Sequence, residues 1–391
     1  MKEVFIVSAK RTPIGGLMGR LSTLSATRLG AEAIRAACTA AGTDPAHIDE
    51  VYMGNVLSAG VGQAPARQAA VFAGIPYETD AVTVNKVCAS GMKATAFGAQ
   101  QIQLGLSDLV VTGGMESMSN TPHYGYIRTP HKYGHATLTD GMIKDGLWDV
   151  YHDYHMGSAA ELCAREYGLT REAQDAYALA TYERAARAAQ AGKFASEIVP
   201  VEVKHKTGSV YVTDDEDINK IIPEKVSGLA PAFEAGGTVT AANASNLNDG
   251  AAALVLASKE AVEQYGLKPI ARILAHADAA QAPERFTTSP ALAIPKVLSR
   301  AGLTIGDIDY FEINEAYAAV ALANIQILGL DAAKVNVYGG AVAMGHPLGA
   351  SGARILCTLL SVLAQENGRY GVAAICNGGG GASAMVVERL S

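Results

Sequence analysis

Apolar positions along the chain follow two spacings in turn. "EVFIVSA" (residues 3–9) is a short extended run, and "SATRLGAEAIRAACTAAG" (25–42) follows with an apolar stripe of helical period that stops at a glycine. The pattern then repeats. "EVYMGNVL" predicts a strand, "QAPARQAAVFAG" a helix, "AVTVNKV" a strand, "SGMKATAFGAQQIQLG" a helix and "DLVVTGG" a strand ending on paired glycines. Such alternation predicts an α/β layered domain with a largely buried sheet.

The periodicity lapses after residue 118. Residues 119–155 are rich in Gly, Tyr, Thr and Pro, and five of the nine histidines fall between His123 and His155. A helix "TREAQDAYALATYERAARAAQAG" follows, with Thr170 as N-cap and Gly192 as its stop. Residues 119–245 therefore read as an insertion standing above the sheet, the kind of excursion that carries functional sites. From about residue 270 the alternation resumes. "GDIDYFEIN" predicts a strand, "EAYAAVALANIQILG" a helix, "VNVYGGAVAMG" a strand, "GASGARILCTLLSVLAQENG" a helix and "GVAAICNGG" a strand. The two ends resemble each other. In each, a V-x-V strand leads through a loop to an "SG" helix and then to a strand ending in paired glycines. An internal duplication would make one half from residues 1–118 plus 246–269 and the other from 270–391.

Composition narrows the function classes. The net charge is −7 with no Lys/Arg run, which disfavours a nucleic-acid partner. Five cysteines, none in a CxxC pair, predict free thiols in a reducing compartment, here the cytoplasm. The N-terminal stretch has no signal-peptide pattern, and the longest uncharged run near the end is broken by Asn377 and four glycines, so no membrane association is expected.

Four places carry more chemistry than packing needs: Cys88 between a strand and a helix, His346 in "GHPLGASG", Cys376 in "CNGGGGAS", and Asn314 in "NEAYA". Each has a plainer reading. Cys88 and Cys376 could be buried, inert thiols, His346 a hydrogen-bonded loop residue, and Asn314 a cap for the helix it precedes. Yet all four sit at element junctions, where open α/β sheets place ligands. A helix N-terminus beside Cys88 would also lower the thiol pKa.

Seven segments in order, "VNKVCASGMKA", "GGMESMS", "HMG", "NASNLNDGAAA", "NEAYA", "GGAVAMGHPLGASGAR" and "CNGGGGASA", resemble the thiolase family over essentially the full chain. The resemblance implies two duplicated βαβ-rich halves in an α/β/α/β/α arrangement, with an inserted loop domain that contacts coenzyme A and neighbouring subunits. It implies reversible condensation of acetyl-CoA to acetoacetyl-CoA, with coenzyme A thioesters as substrates and no resident cofactor or metal. Cys88 would carry the acyl group, His346 would take its proton, and Cys376 would act as base and acid at the α-carbon, with a thiol pKa lowered for that purpose. His346 and an Asn314-held water would bind the enolate oxygen, and the N–H groups of Cys88 and Gly378 the tetrahedral oxyanion. His155 and Met156 in the HMG segment resemble the short-chain branch, Met156 narrowing the acyl pocket. Coenzyme A contacts are implied for Leu147, Phe233, Ala241 and Ser245, with Lys220 or Lys225 over the adenine. Tyr317 beside the acyl end stands where the family usually has Phe. Ile218 replaces the tyrosine of the potassium-binding branch, which argues against potassium activation. A homotetramer built as a dimer of dimers is implied. A broader-chain 3-ketoacyl-CoA thiolase and a non-catalytic acyl-CoA-binding protein are the alternatives.

Overall fold

The computed structural model describes residues 2–129, 131–206 and 208–390; Met1 and Ser391, the outer bounds expected for the two halves, lie outside them. Nine strands build the main sheet: β1 (Val4–Arg11), β2 (Glu50–Gly54), β3 (Asp80–Val84), β4 (Leu109–Ser117), β5 (Asn248–Ala257), β6 (Ala271–Ala280), β7 (Tyr310–Ile313), β8 (Tyr370–Asn377) and β9 (Gly381–Arg389). A two-residue strand, Gly15–Gly16, adds to β5. Helices of nine residues or more are α1 (Ala26–Ala41), α2 (Pro65–Ala73), α3 (Ser90–Leu104), α4 (Met156–Glu166), α5 (Arg171–Gln190), α6 (Pro290–Ala301), α7 (Ala318–Leu328) and α8 (Leu348–Gln365).

The strand order is β7-β8-β9-β6-β1-β5-β4-β2-β3. It reads as one arrangement used twice. From the centre outward, β1-β5-β4-β2 and β6-β9-β8-β7 each run through antiparallel pairings and end on a parallel one. The halves join antiparallel where Val4 faces Ile273. Helices α1 and α2 cover the outer face of the first half, α6 and α7 that of the second, and α3 with α8 lies between them. Layers therefore run α/β/α/β/α. Helix α8 has the length and hydropathy of a membrane span, but 89% of it is buried as a central-layer helix.

The repeated "SG" has a packing reason. A Cβ on Gly91 would lie 2.9 Å from the Ala353 backbone nitrogen, and one on Gly352 2.5 Å from that of Met92. Only glycine lets α3 and α8 cross with their backbones in contact.

One expected strand does not form. Val335 and Val337 alternate as a strand would, but only Val335 makes a parallel bridge, to Phe311, where β3 stands in the other half. Asn336 adopts φ 49° and Gly339 φ 80°, so the chain turns, and Ala341–Met344 is a single helical turn. The Asn336 side chain takes over the missing ladder: its Oδ1 accepts from the Ile313 N–H at 2.8 Å and its Nδ2 donates to the Ile313 carbonyl at 2.8 Å.

The chain leaves the main sheet after Ser117 and rejoins it at Asn248. Between lie α4, α5 and short hairpins. Glu161 of α4 ties this excursion together, its carboxylate accepting from the N–H groups of Thr238 and Val239.

Candidate active site

Between β3 and α3 the chain turns sharply through Val87, whose φ of 48° is an outlier for a β-branched residue and costs on the order of 1–3 kcal/mol. Side chains hold the turn. Ser90 Oγ accepts the Lys86 N–H at 2.8 Å and donates to the Val87 carbonyl at 2.6 Å, and Asn85 Oδ1 accepts the Val87 N–H at 2.9 Å. Cys88 is thereby presented to a cavity of about 780 Å³. Helix α3 starts two residues later, at Ser90.

The acidified thiol expected beside that helix is not what the structure gives. Burial dominates and pushes the Cys88 thiol up to about 12, against the N–H groups of Gly378 and of Cys88 itself, which point at the sulfur. Burial likewise raises the Cys376 thiol well above its ordinary value, correcting the lowered pKa expected there. Both thiols rest protonated. The two N–H groups on the Cys88 sulfur are those that would receive an oxyanion formed on its acyl group.

His346 is held from both sides. Its backbone N–H donates to Asn248 Oδ1 at 2.9 Å, and its Nδ1 lies 2.6 Å from Ser351 Oγ. Ser351 Oγ also donates to the Pro347 carbonyl at 2.9 Å. The tautomer that satisfies both contacts carries its proton on Nδ1 and leaves Nε2 a lone pair. Nε2 is buried with no protein partner. Burial, and then the nearby Arg354 charge, lower the imidazole pKa to about 3. The ring is neutral at physiological pH and can accept a proton at Nε2.

Asn314 follows the end of β7, its N–H donating to the Ala374 carbonyl of the strand that carries Cys376. It caps nothing, because α7 begins at Ala318 with Tyr317 in the N-cap position. Both polar atoms of its side chain are buried without a protein partner. Buried amides are hydrogen-bonded as a rule, so this one calls for water or ligand. Cys376 lies fully buried among Met156, Phe286 and Tyr317.

The cavity is lined by most of the residues that the sequence singled out: Cys88, His346, Gly378, Leu147, His155, Met156, Lys220, Phe233, Ala241, Ser245 and Tyr317. His155 Nδ1 accepts the Gly157 N–H at 3.1 Å and so caps α4, while its ring stacks on Phe233 at 4.8 Å. Phe233 meets Tyr317 edge-on at 6.0 Å. The glycine of the HMG segment is explained here, since a Cβ on Gly157 would stand 2.2 Å from the Phe233 ring. Met156 lies beside Gly378: a Cβ on Gly378 would meet its Cε at 3.6 Å. Lys220 is already paired with Glu216 and Asp217, whereas Lys225 is exposed at the cavity without an ion pair among the described residues. The Tyr317 hydroxyl has no hydrogen-bond partner among the described residues, and burial raises its pKa.

Three positioning residues escaped the sequence reading: Ser351, Asn248 and Glu116. Glu116 is buried and accepts from the N–H groups of Val56, Leu57 and Gly349, linking the end of β2 to the start of α8. All three lie in segments already singled out, but a carboxylate or a serine there carries no local sign of what it will hold.

Sheet, thiol pair and polarised cavity together define an acyl-transferring enzyme. Residues 4–260 match the family model of the thiolase N-terminal domain and residues 267–389 that of the C-terminal domain. The chain belongs to the thiolase family. It is 57% identical to acetyl-CoA acetyltransferase 1 of Arabidopsis thaliana, covering 100% of this chain and 95% of the relative. It is 55% identical to the cytosolic acetyl-CoA acetyltransferase ERG10 of Gibberella zeae, covering 100% and 99%. The structure of Acat5 thiolase from Ascaris suum in complex with coenzyme A superposes with a TM-score of 0.96 at 48% identity, covering 100% of both chains. The Bacillus anthracis acetyl-CoA acetyltransferase superposes with a TM-score of 0.97 at 39% identity, covering 100% and 99%.

Proposed function

We propose that this chain is an acetyl-CoA C-acetyltransferase that condenses two acetyl-CoA to acetoacetyl-CoA and coenzyme A, and reverses that reaction, through an acetyl group carried on Cys88. The observation that carries the reading is the cavity itself. Cys88, with two N–H groups on its sulfur, and His346, whose buried Nε2 has no protein partner among the described residues, line it together.

In the first half-reaction the Cys88 sulfur attacks the thioester carbonyl and its proton passes to His346 Nε2. The oxyanion rests on the N–H groups of Cys88 and Gly378. The C–S bond to coenzyme A breaks, and the Cys376 thiol gives its proton to the leaving thiolate, which leaves Cys376 a thiolate and the Cys88 proton on His346 Nε2. In the second half-reaction the Cys376 thiolate removes a methyl proton from a new acetyl-CoA. The enolate oxygen is held by the Nε2–H of His346 and a water on Asn314, the enolate carbon attacks acetyl-Cys88, and once the C–C bond has formed the Cys88 sulfur leaves and takes its proton back from His346. Run backwards, Cys376 is a thiol that protonates the departing enolate, which is the state that its burial favours.

The reading assigns no resident cofactor or metal. It gives potassium no part, Ile218 being a buried apolar residue packed with Tyr182 and Tyr338. Met156 beside Gly378 supports a short acyl group, and Lys225 is the free cation for the nucleotide end. A homotetramer, as a dimer of dimers, is supported by the exposed edge strand β3 with Val82 and by exposed Tyr126, Ile127, Tyr133 and Leu138. Five free thiols and the cytosolic relative support a cytoplasmic location.

The test is thiolysis of acetoacetyl-CoA against 3-ketohexanoyl- and 3-ketodecanoyl-CoA, with mass spectrometry for an acetyl adduct on Cys88. Turnover confined to the short substrate, with the adduct, is expected. Robust turnover of the ten-carbon substrate would overturn the short-chain assignment, and no turnover or adduct the enzymatic one.

A further inference from the structure

Behind His346 and Asn314 lies one buried ion pair that the mechanism leaves unused. Arg354 Nη1 of α8 lies 3.9 Å from Glu312 Oε2 of β7, with both side chains 2% exposed. That is too long for a hydrogen bond. Among the described residues neither oxygen of Glu312 has a hydrogen-bond partner, nor do Nε and Nη2 of Arg354, whose Nη1 reaches only Thr358 Oγ1 at 3.5 Å. The neighbouring pair behaves differently. Arg11 closes on Glu197 at 2.6 Å and on Asp215 at 2.7 Å. Burial raises the Glu312 carboxyl to about 8, with the Arg354 charge opposing that rise, and buried polar groups without a protein partner are as a rule satisfied by water.

The position of the pair matters more than its strength. Ser351, the partner of His346 Nδ1, sits one turn before Arg354 on α8. Glu312 and Asn314 are two residues apart along an extended chain and so share a face. The pair joins the helix that carries the His346 support to the strand that carries Asn314. The remaining charges nearby are Arg11, Glu197, Glu315 and Arg184, of which Glu315 is held by Tyr177, Thr181 and Asn336. Among the described residues, Arg184 shares the condition of the pair at Nε and Nη2, and Glu197 at one carboxylate oxygen, Oε2.

We propose that Glu312 and Arg354 are positioning residues, a water-bridged clamp that sets how far His346 Nε2 stands from the Asn314 amide. The inference rests on the reading of those two groups as the enolate-binding pair. Arg354 has a second effect: its charge helps to keep His346 unprotonated. The other titratable groups around the His346 loop are Cys88 and Glu116, the latter accepting the Gly349 N–H. Neither supplies a cation.

The experiment uses the full-length enzyme with Glu312→Gln, Arg354→Gln and Arg354→Lys. Four readouts are taken: acetyl-enzyme formed per chain, kcat per acetylated site, deuterium exchange into the methyl group of acetyl-CoA, and the pH profile of kcat/KM. Exchange and kcat per site should fall on the order of 100-fold in Glu312→Gln and Arg354→Gln, as misplacement of a reacting group does. KM should stay within about 2-fold, since substrate binding is untouched. The acid limb of the profile should move to higher pH in Arg354→Gln and return in Arg354→Lys. Unchanged exchange and kcat per acetylated site would overturn the proposal, because the pair would then serve only to fold the chain. Should Arg354→Gln not fold, Glu312→Gln keeps both size and the cation and decides alone. His346→Asn and Asn314→Ala run alongside. If those two retain exchange, the reading of the enolate pair fails; if they lose it while the clamp variants keep it, only the clamp fails.

Discussion

Ser351 Oγ stands 2.6 Å from His346 Nδ1 and donates its own O–H to the Pro347 carbonyl at 2.9 Å. The tautomer of the base is thus set by a serine five residues along the chain, within the first turn of α8. Ser351→Ala removes the acceptor for Nδ1–H and frees the ring to rotate or change tautomer. We expect kcat to fall about 10-fold or more with KM little changed, because orientation of a general base is lost and binding is not. Steady-state thiolysis of acetoacetyl-CoA checks this, and wild-type kcat would remove Ser351 from the mechanism.

The raised pKa of Cys88 predicts how the free enzyme reacts with an alkylating agent. With the thiol pushed up to about 12, the thiolate fraction grows about tenfold per pH unit up to that value. Iodoacetamide labelling of Cys88 should therefore climb steadily to pH 10. A plateau near pH 7 would mean a preformed thiolate–imidazolium pair instead.

Gly157 is required by Phe233, whose ring lies 2.2 Å from where a Cβ would be. Gly157→Ala must push that ring off His155 and out of the cavity wall. Overpacking of this kind costs about 1–3 kcal/mol. A lower melting temperature and a KM effect on coenzyme A larger than that on kcat are expected, while unchanged values of both would contradict the packing.

Met156 lines the cavity beside Gly378, so on the proposed reading its truncation opens space for longer chains. Met156→Ala should raise kcat/KM for 3-ketohexanoyl-CoA relative to acetoacetyl-CoA on the order of 10-fold, the effect of one or two methylenes in an apolar pocket. An unchanged ratio would place the size limit elsewhere.

The buried imidazole of His346 makes the fold acid-sensitive. In the unfolded chain it takes a proton near 6.5, but in the folded protein only near 3, so stability is lost as pH falls between those values. The full loss is on the order of 4–5 kcal/mol. Glu116 works in the opposite sense: its carboxyl is raised to about 7 by burial, so the folded state gains between pH 7 and 4.5. His346→Asn should unfold at lower pH than the parent in an acid titration followed by circular dichroism. Coincident curves would show that the ring is not neutral when folded.

The alternation of apolar spacings was enough to place nearly every element of the two halves, because helix and strand periods are local and each stripe faces a core. It failed at Val335 and Val337, where the spacing is that of a strand. There the Asn336 side chain occupies the hydrogen-bonding groups of Ile313, a substitution between segments 23 residues apart. The candidate site was legible as residue types at junctions: the structure places Cys88 and His346 on one cavity and leaves the Asn314 amide unpartnered among the described residues.

What those residues would be like chemically was not legible. The helix N-terminus near Cys88 argued for an acidic thiol, and the two N–H groups on its sulfur do act in that sense. Burial outweighs them, and burial is the sum of everything packed around the sulfur from both halves of the chain. The same holds for the imidazole of His346 and for the gap between Glu312 and Arg354. The sequence by itself determined the order of the elements, the internal repeat and the residue types at the junctions. The tertiary structure alone decided their protonation states and spacing, because desolvation and charge act through space between residues that the sequence keeps far apart.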